Sequence, residues 1–299
     1  MRLLLGLLLL LGLCPLTAKE PLLKPNDVIA LIGGEDMVVA SELGYLEALV
    51  QAALPEHKLK FRSLAWEGDT VFEQRRDLNY PPLEAQLEKM GATVVIAQFG
   101  QMESLAGTRQ VGAFVAAYEK LLGRLGAAKG RRFLLVAPGE WRMSNLDLRI
   151  EERNEALAAY RDAIALMAEK SANLAFAPWN DQILTFGNSG TRDGMHLSES
   201  VHPMFAGAIA AHLLGKPKLG TGALKDEVRQ AVVAKSRLWY HYSRPQNWAF
   251  LAGDRTNQPS SRDHVDRNKR WFPDELEQFV PLIEAKDKEI WELAAKLNR

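Results

Sequence analysis

The chain has 299 residues, of which 47% are hydrophobic and 25% charged, and its 37 basic side chains are balanced by 37 acidic ones. That composition belongs to a folded globular chain, not a disordered one, and it lacks the basic excess that a nucleic-acid surface needs. Its single cysteine, Cys14, falls in an N-terminal leader, which excludes thiol catalysis, disulfides and cysteine-ligated metals from the remainder.

The leader, MRLLLGLLLLLGLCPLTA over 1–18, places Arg2 before an apolar run that ends in small and polar residues. This layout predicts a secretory signal cleaved after Ala18 and export to the periplasm or the extracellular space. With its flanks the run is too short for a membrane span. Leu13 stands before Cys14 where a lipidation signal carries a small residue, so simple cleavage is expected. Short apolar runs then alternate with amphipathic ones. DVIALI (27–32), KLKFRSL (58–64), TVVIAQF (93–99), RRFLLVAP (131–138) and ANLAFAP (172–178) read as strands. Helices are predicted over 36–53, 82–90, 110–127, 149–170 and 203–214. Near-continuous apolar strands alternating with helices predict a parallel sheet covered on both faces. In such a sheet ligands sit at the carboxyl ends of the strands. The loops GGED, AWEGDT, GQMES, PGEWRMSN and GTRDGMHLSES should therefore converge on one edge.

From residue 216 the pattern changes to a C-terminal extension of the 19–215 domain, expected to pack on it. GALKDEVRQAVVAKSRLWYHY reads as a helix, and a polar, turn-rich segment with Trp248, Phe250, Trp271 and Phe272 follows. A long loop carrying that many aromatics is expected to be packed down. The tail from Pro273 has helical spacing, with Pro281 marking a kink or break.

The loops carry a resemblance. The segment from Asp27 to His212 resembles the SGNH (GDSL-type) hydrolase superfamily. GYLEAL, AWEGDTVF and RPQNWAFLAGDR look like its secreted bacterial variants. The fold implied is a three-layer α/β/α sandwich around a five-stranded parallel sheet, flavodoxin-like, with a C-terminal helical extension. The block DGMHLSES supplies Asp193 and His196, which the resemblance makes the orienting carboxylate and the general base. Gly68 in WEGDT would offer its backbone N–H to an oxyanion. Two blocks depart from the pattern. Gly33-Gly34-Glu35 stands where the superfamily reads Gly-Asp-Ser, so the nucleophilic serine is absent. Gly100-Gln101-Met102-Glu103 stands where it reads Gly-x-Asn-Asp, so the asparagine is a methionine.

Each feature has two readings. Glu35 is either a base or substrate-binding carboxylate at the mouth of the site, or simply an anion favoured at a helix N-terminus. Gly34, Gln101 and Glu103 join Gly68 as candidate oxyanion or substrate-binding positions, with Met102 as apolar filling. Ser41 and Ser63 lie too far along their elements to replace the serine, and Ser104 is the remaining candidate nucleophile. His202 and His241 lack metal-ligand spacing and read as packing or surface residues, so no metal and no cofactor are expected. Arg244 and Asn247, with Gln246 and Trp248, form either a polar ligand site or a clasp that holds the tail on the core.

The expected function is that of a secreted hydrolase-like protein acting on an ester, such as an acylated glycan or a small molecule, through His196, Asp193 and Glu35. The alternative is an inactive domain of the same fold that binds a glycan or cell-wall fragment. A third reading is a domain of a larger exported complex.

Overall fold

Five of the apolar runs become five strands: β1 (Val28–Gly33), β2 (Lys60–Ser63), β3 (Val94–Gln98), β4 (Arg132–Val136) and β5 (Leu174–Ala177). All pair in parallel in the order β2-β1-β3-β4-β5. The computed structural model describes residues 22–142, 149–179, 189–216 and 226–297. The predicted leader with Cys14, the end of the fourth loop and the first residues of the predicted 222–242 helix lie outside them.

Alternate strand residues face opposite ways, and the two sets of side chains define two cores. Ile29, Leu31, Ile96 and Leu134 pack under α1 (Glu35–Leu43), α2 (Tyr45–Ala53) and α7 (His202–Leu213). Ile32, Val95, Phe133 and Leu135 pack under α3 (Leu83–Lys89), α5 (Val111–Arg124) and α6 (Ile150–Glu169). The fold is thus the three-layer α/β/α sandwich. A strand buried on both faces has no solvent side to pattern, which is why β3 reads VVIAQ with every residue buried.

The predicted 36–53 helix is two helices. It breaks at Gly44, which takes φ +74° and caps α1 through its N–H to Ala40 C=O at 3.2 Å. A Cβ at Gly44 would lie 3.0 Å from Val232 of α8 (Asp226–Ser243), so the break also lets that helix approach. Pro281 does not break its helix. It is the third residue of α11 (Phe279–Leu297), inside the first turn, where no intrahelical N–H bond is needed. The chain instead breaks at Gln278, after α10 (Trp271–Glu277).

The C-terminal segment packs on the β2 side of the sandwich. The Trp239 indole donates to Ser63 C=O at 2.6 Å, and the Trp291 indole donates to Leu59 C=O at 2.9 Å. The late aromatics are packed down as expected. Trp248 opens α9 (Trp248–Leu251) and stacks on Tyr80 at 4.7 Å, and Phe250 meets Phe272 at 5.8 Å. Among the described residues no helix is long and apolar enough to cross a membrane.

Gly33 closes β1 with φ +134°, and a Cβ there would fall 2.4 Å from the Gln98 carbonyl oxygen at the end of β3. No side chain fits between two backbones at that distance. Gly33→Ala should therefore cost more than the roughly 1–3 kcal/mol of backbone strain alone. Denaturant melts check this, and a loss under that range would mean the strand ends can separate.

Candidate active site

The turn after β1 enters α1 through Gly34, an extended residue whose carbonyl accepts the Met37 and Val38 N–H groups. Glu35 and Asp36 therefore occupy the first helical turn, where backbone N–H groups have no intrahelical acceptor and anions are favoured. The loop after β2 lies alongside, because Trp66 N–H donates to Gly33 C=O at 2.9 Å. Gly68 follows in an exposed turn.

His196 is presented by a tight loop rather than by a helix. Thr191 and Leu197 pair across it as an antiparallel bridge, and Arg192 N–H donates to His196 C=O at 3.0 Å. Inside the loop, Asp193 Oδ1 accepts the N–H groups of Met195 at 2.9 Å and His196 at 2.8 Å. Its Oδ2 lies 2.6 Å from His196 Nδ1. This places the ring proton on Nδ1 and leaves Nε2 facing the site. Burial would raise the Asp193 pKa, but the His196 ring, the two backbone donors and the His196 charge together hold it below the ordinary carboxylate range.

Nε2 faces Glu35. The Glu35 Oε2 atom lies 3.5 Å away, and its Oε1 accepts a hydrogen bond from Arg192 Nη2. The loops thus bring together Asp193, His196, Glu35 and Arg192, in that order of contact. Among the described residues no serine or threonine hydroxyl is bonded to Nε2.

Asp36 was given no role by the sequence, yet it joins this cluster. It is buried, and its Oδ1 accepts the Leu197 N–H at 2.9 Å, tying α1 to the residue after His196. Burial first, and then the Glu35 charge, push its pKa up to about 6 against the pull of Leu197 N–H, His196 and Arg192. The only signal for it was a second acid beside Glu35 among residues of a buried helix face. Arg192 was equally legible only as the neighbour of Asp193.

The sign of the Asp36 effect follows from that pKa. The folded protein keeps the proton up to about pH 6 and the unfolded chain releases it near 3.8, so this contribution favours folding in acid and is lost as pH rises through 6. Burying the charge then costs about 3 kcal/mol at neutral pH. Asp36→Asn keeps an acceptor for Leu197 N–H, so it should stabilise the protein by up to about that amount near pH 8, with the gain fading toward pH 4. Paired denaturant melts measure it, and an equal effect at both pH values would sink the assignment.

The third loop folds as α4 (Gln101–Ser104) with a different facing from the one expected. Glu103, not Met102, turns inward. Its Oε1 accepts Val71 N–H at 2.8 Å and its Oε2 accepts Gly100 N–H at 2.9 Å, fastening the second loop to the third. Burial raises its pKa over the lowering effect of these donors. Met102 is 44% exposed, which corrects the expectation of apolar filling. Gln101 Nε2 donates to Gly139 C=O at 3.2 Å and Met195 C=O at 3.0 Å, bridging the fourth and last loops. Ser104 is excluded as a nucleophile, being buried with its hydroxyl donated to Gln101 C=O at 2.7 Å.

Arg244 reaches the second loop. Its guanidinium lies 4.2 Å from the Trp66 ring centre, donates to Glu67 at 2.8 Å through Nη1, and bonds Ala65 C=O through Nη2. Asn247 stands at the start of α9, where its carbonyl accepts the Phe250 and Leu251 N–H groups. With Trp248 donating to Leu78 C=O at 2.8 Å, this segment clasps the loop that carries Gly68. His202 is buried, and burial lowers its pKa to about 4. Among the described residues no three His, Cys, Asp or Glu side chains converge to hold a metal ion.

No protein-family model matches the chain, and no curated protein matches it. Its likeness to solved structures is one of fold. A gut microbial diltiazem-metabolizing enzyme aligns with a TM-score of 0.50 and 13% identity, over 62% of this chain and 46% of that one. This chain therefore spans about half the length of that enzyme. An acetylxylan esterase from Geobacillus stearothermophilus aligns with a TM-score of 0.49 and 15% identity, over 64% of this chain and 95% of its own. A carbohydrate acetylesterase from Sinorhizobium meliloti gives 0.46 and 16%, over 64% and 99%. The sheet order and covering helices define a three-layer α/β/α fold, which the chain shares with the first of these enzymes.

Proposed function

We propose that the protein hydrolyses an ester, of the kind found in acylated glycans, by activating water instead of a serine. The observation that carries this is the His196 ring, held through Nδ1 by Asp193 at 2.6 Å, with Nε2 turned to the carboxylate that stands where a nucleophile would. His196 Nε2 takes a proton from water, and the oxygen forms a bond to the ester carbonyl carbon. The tetrahedral intermediate then collapses by breaking the bond to the alkoxide, which leaves with the proton from Nε2. Asp193 keeps the Nδ1 proton and stabilises the imidazolium. Glu35, anchored by Arg192, orients the water and adds a second negative charge beside that imidazolium. Gly68 N–H and the free N–H groups of the first α1 turn serve the oxyanion. The layout of residues 1–18 supports export, so the substrate would be met outside the cytoplasm.

One observation favours a second reading, a glycan-binding domain without turnover. The group in the serine's place is already paired with Arg192. The experiment that separates the two is acid release from a p-nitrophenyl acyl ester and an acetylated oligosaccharide by the full chain and by His196→Ala. Turnover above the variant is the expected result. Equal rates would overturn the hydrolase, and saturable binding of a non-hydrolysable polysaccharide would then establish the second reading.

A further inference from the structure

A cavity of about 520 Å³ lies away from the His196 site, between β2, α3 and the C-terminal helices. Protein interiors are close-packed, and a space this large falls in the range of small-molecule sites. Its shape is set by the sheet. Lys60, which opens β2, and Leu64, which follows its last residue, both line it, so it runs for about 13 Å along the strand direction. Trp239, Tyr242, Tyr80 and Trp248 supply ring surfaces, and Ile283 closes the α11 side.

Three of the charges around it, Arg62, Lys89 and Glu277, are already paired. Arg62 is held by Asp287 at 3.1 Å through Nη1. Lys89 donates to the Tyr242 hydroxyl at 2.9 Å and lies 3.6 Å from Glu277. Lys89 and Glu277 are both exposed, and with Gln86 and Glu284 they line the same space with both signs of charge and an amide. An anionic or cationic head group would meet a like charge there. A neutral group with donors and acceptors would not.

We propose that this cavity binds one aliphatic chain carrying an uncharged, hydroxylated head group, with the chain along β2 and the head at the Lys89–Glu277 rim. The site is separate from His196 and does not depend on turnover there.

The test titrates the full chain with n-octyl β-D-glucoside below its micelle concentration, and with octanoate and octylammonium as charged analogues. Tryptophan fluorescence reports Trp239 and Trp248, and methyl-labelled methionine spectra report Met90 on the cavity wall. Saturable binding of the glucoside, about tenfold or more tighter than either charged analogue, is expected. Val280→Trp, which fills the cavity, should weaken it about tenfold, and His196→Ala should bind as the wild type does. The Met90 methyl shift gives the answer should the filled variant not fold. No saturable change, no preference for the neutral head, or a silent Met90 methyl would each overturn the proposal.

Discussion

Replacing His196 by alanine should lower ester turnover by about 10²–10⁴-fold, the range for removal of a general base from a positioned site. The loss should fall on kcat with KM little changed, because the ring acts on the proton being moved and not on the bound ester. Its side chain is 19% exposed and its main partner, Asp193, is an exposed loop residue, so the melting curve should hardly move. Glu35→Gln sharpens the result. It keeps the shape beside Nε2 but removes the charge that pairs with Arg192 and would stabilise the imidazolium. A smaller fall than for His196→Ala, again in kcat, is expected. A Glu35→Gln enzyme as fast as the wild type would leave His196 and Asp193 as the working pair and reduce Glu35 to a helix-terminal anion. A rate unchanged in both variants would place any observed hydrolysis elsewhere.

The same cluster marks how far the sequence could be read. Four of the strands were legible because a buried parallel sheet demands near-continuous apolar runs, whereas the edge strand β2 carries Lys60, Arg62 and Ser63 around Phe61. Asp193 and His196 were legible because the block DGMHLSES resembles one of the SGNH superfamily and sets a carboxylate three residues before the imidazole it contacts. What stayed hidden depends on partners distant in sequence. Asp36 is a surface-looking acid until Leu197 is placed against it. Gly44 looks like a tolerated glycine inside one helix until Val232 arrives from α8. In GQMES, the inward residue is Glu103 because two backbone donors, Val71 and Gly100, await it. Composition points the other way, since a methionine is the natural core residue of that segment. The clasp by Arg244 and Trp248 was one of two readings, and only the acceptors on residues 65, 67 and 78 settle where its donors go.

Asp36 and Asp287 are both buried carboxylates, yet they act on stability with opposite signs. Asp36 has its pKa raised, whereas Asp287 sits between Arg62 and Lys235. Burial pushes Asp287 up, but the two cations outweigh it and hold its pKa below the ordinary range. Its contribution is therefore present above the unfolded carboxylate pKa, about 3.9, and is lost as pH falls through the lower folded value. Asp36 penalises the neutral protein, because burial outweighs the donors around its carboxylate.

Asp287→Ala should be strongly destabilising although Asp287 lies outside the two cores. Asp287 and Lys235 are each 1% exposed, Arg62 and Glu47 each 7%, and Asp287 contacts both cations. Removing it leaves two buried cations with Glu47 as their one acid, and breaking a buried pair in this way costs about 3–5 kcal/mol. The double variant Arg62→Met with Asp287→Leu leaves Lys235 bonded to Glu47 and to Phe61 C=O, and it should recover much of the loss. Denaturant melts near neutral pH compare the three proteins. A loss under about 1 kcal/mol in Asp287→Ala, or a double variant no better than the single, would show that water reaches the cations. The consequence extends to the edge of the sheet that carries the Gly68 loop. Asp287 fastens α11 to β2, Arg62 lies 5.2 Å from the Trp239 ring centre, and the helix bearing Trp239 ends in the Arg244 clasp on the Gly68 loop. If the proposed hydrolysis uses Gly68, Asp287→Ala should therefore lower ester turnover as well, at temperatures where the sheet itself stays folded, because the Gly68 loop loses its support before the core does.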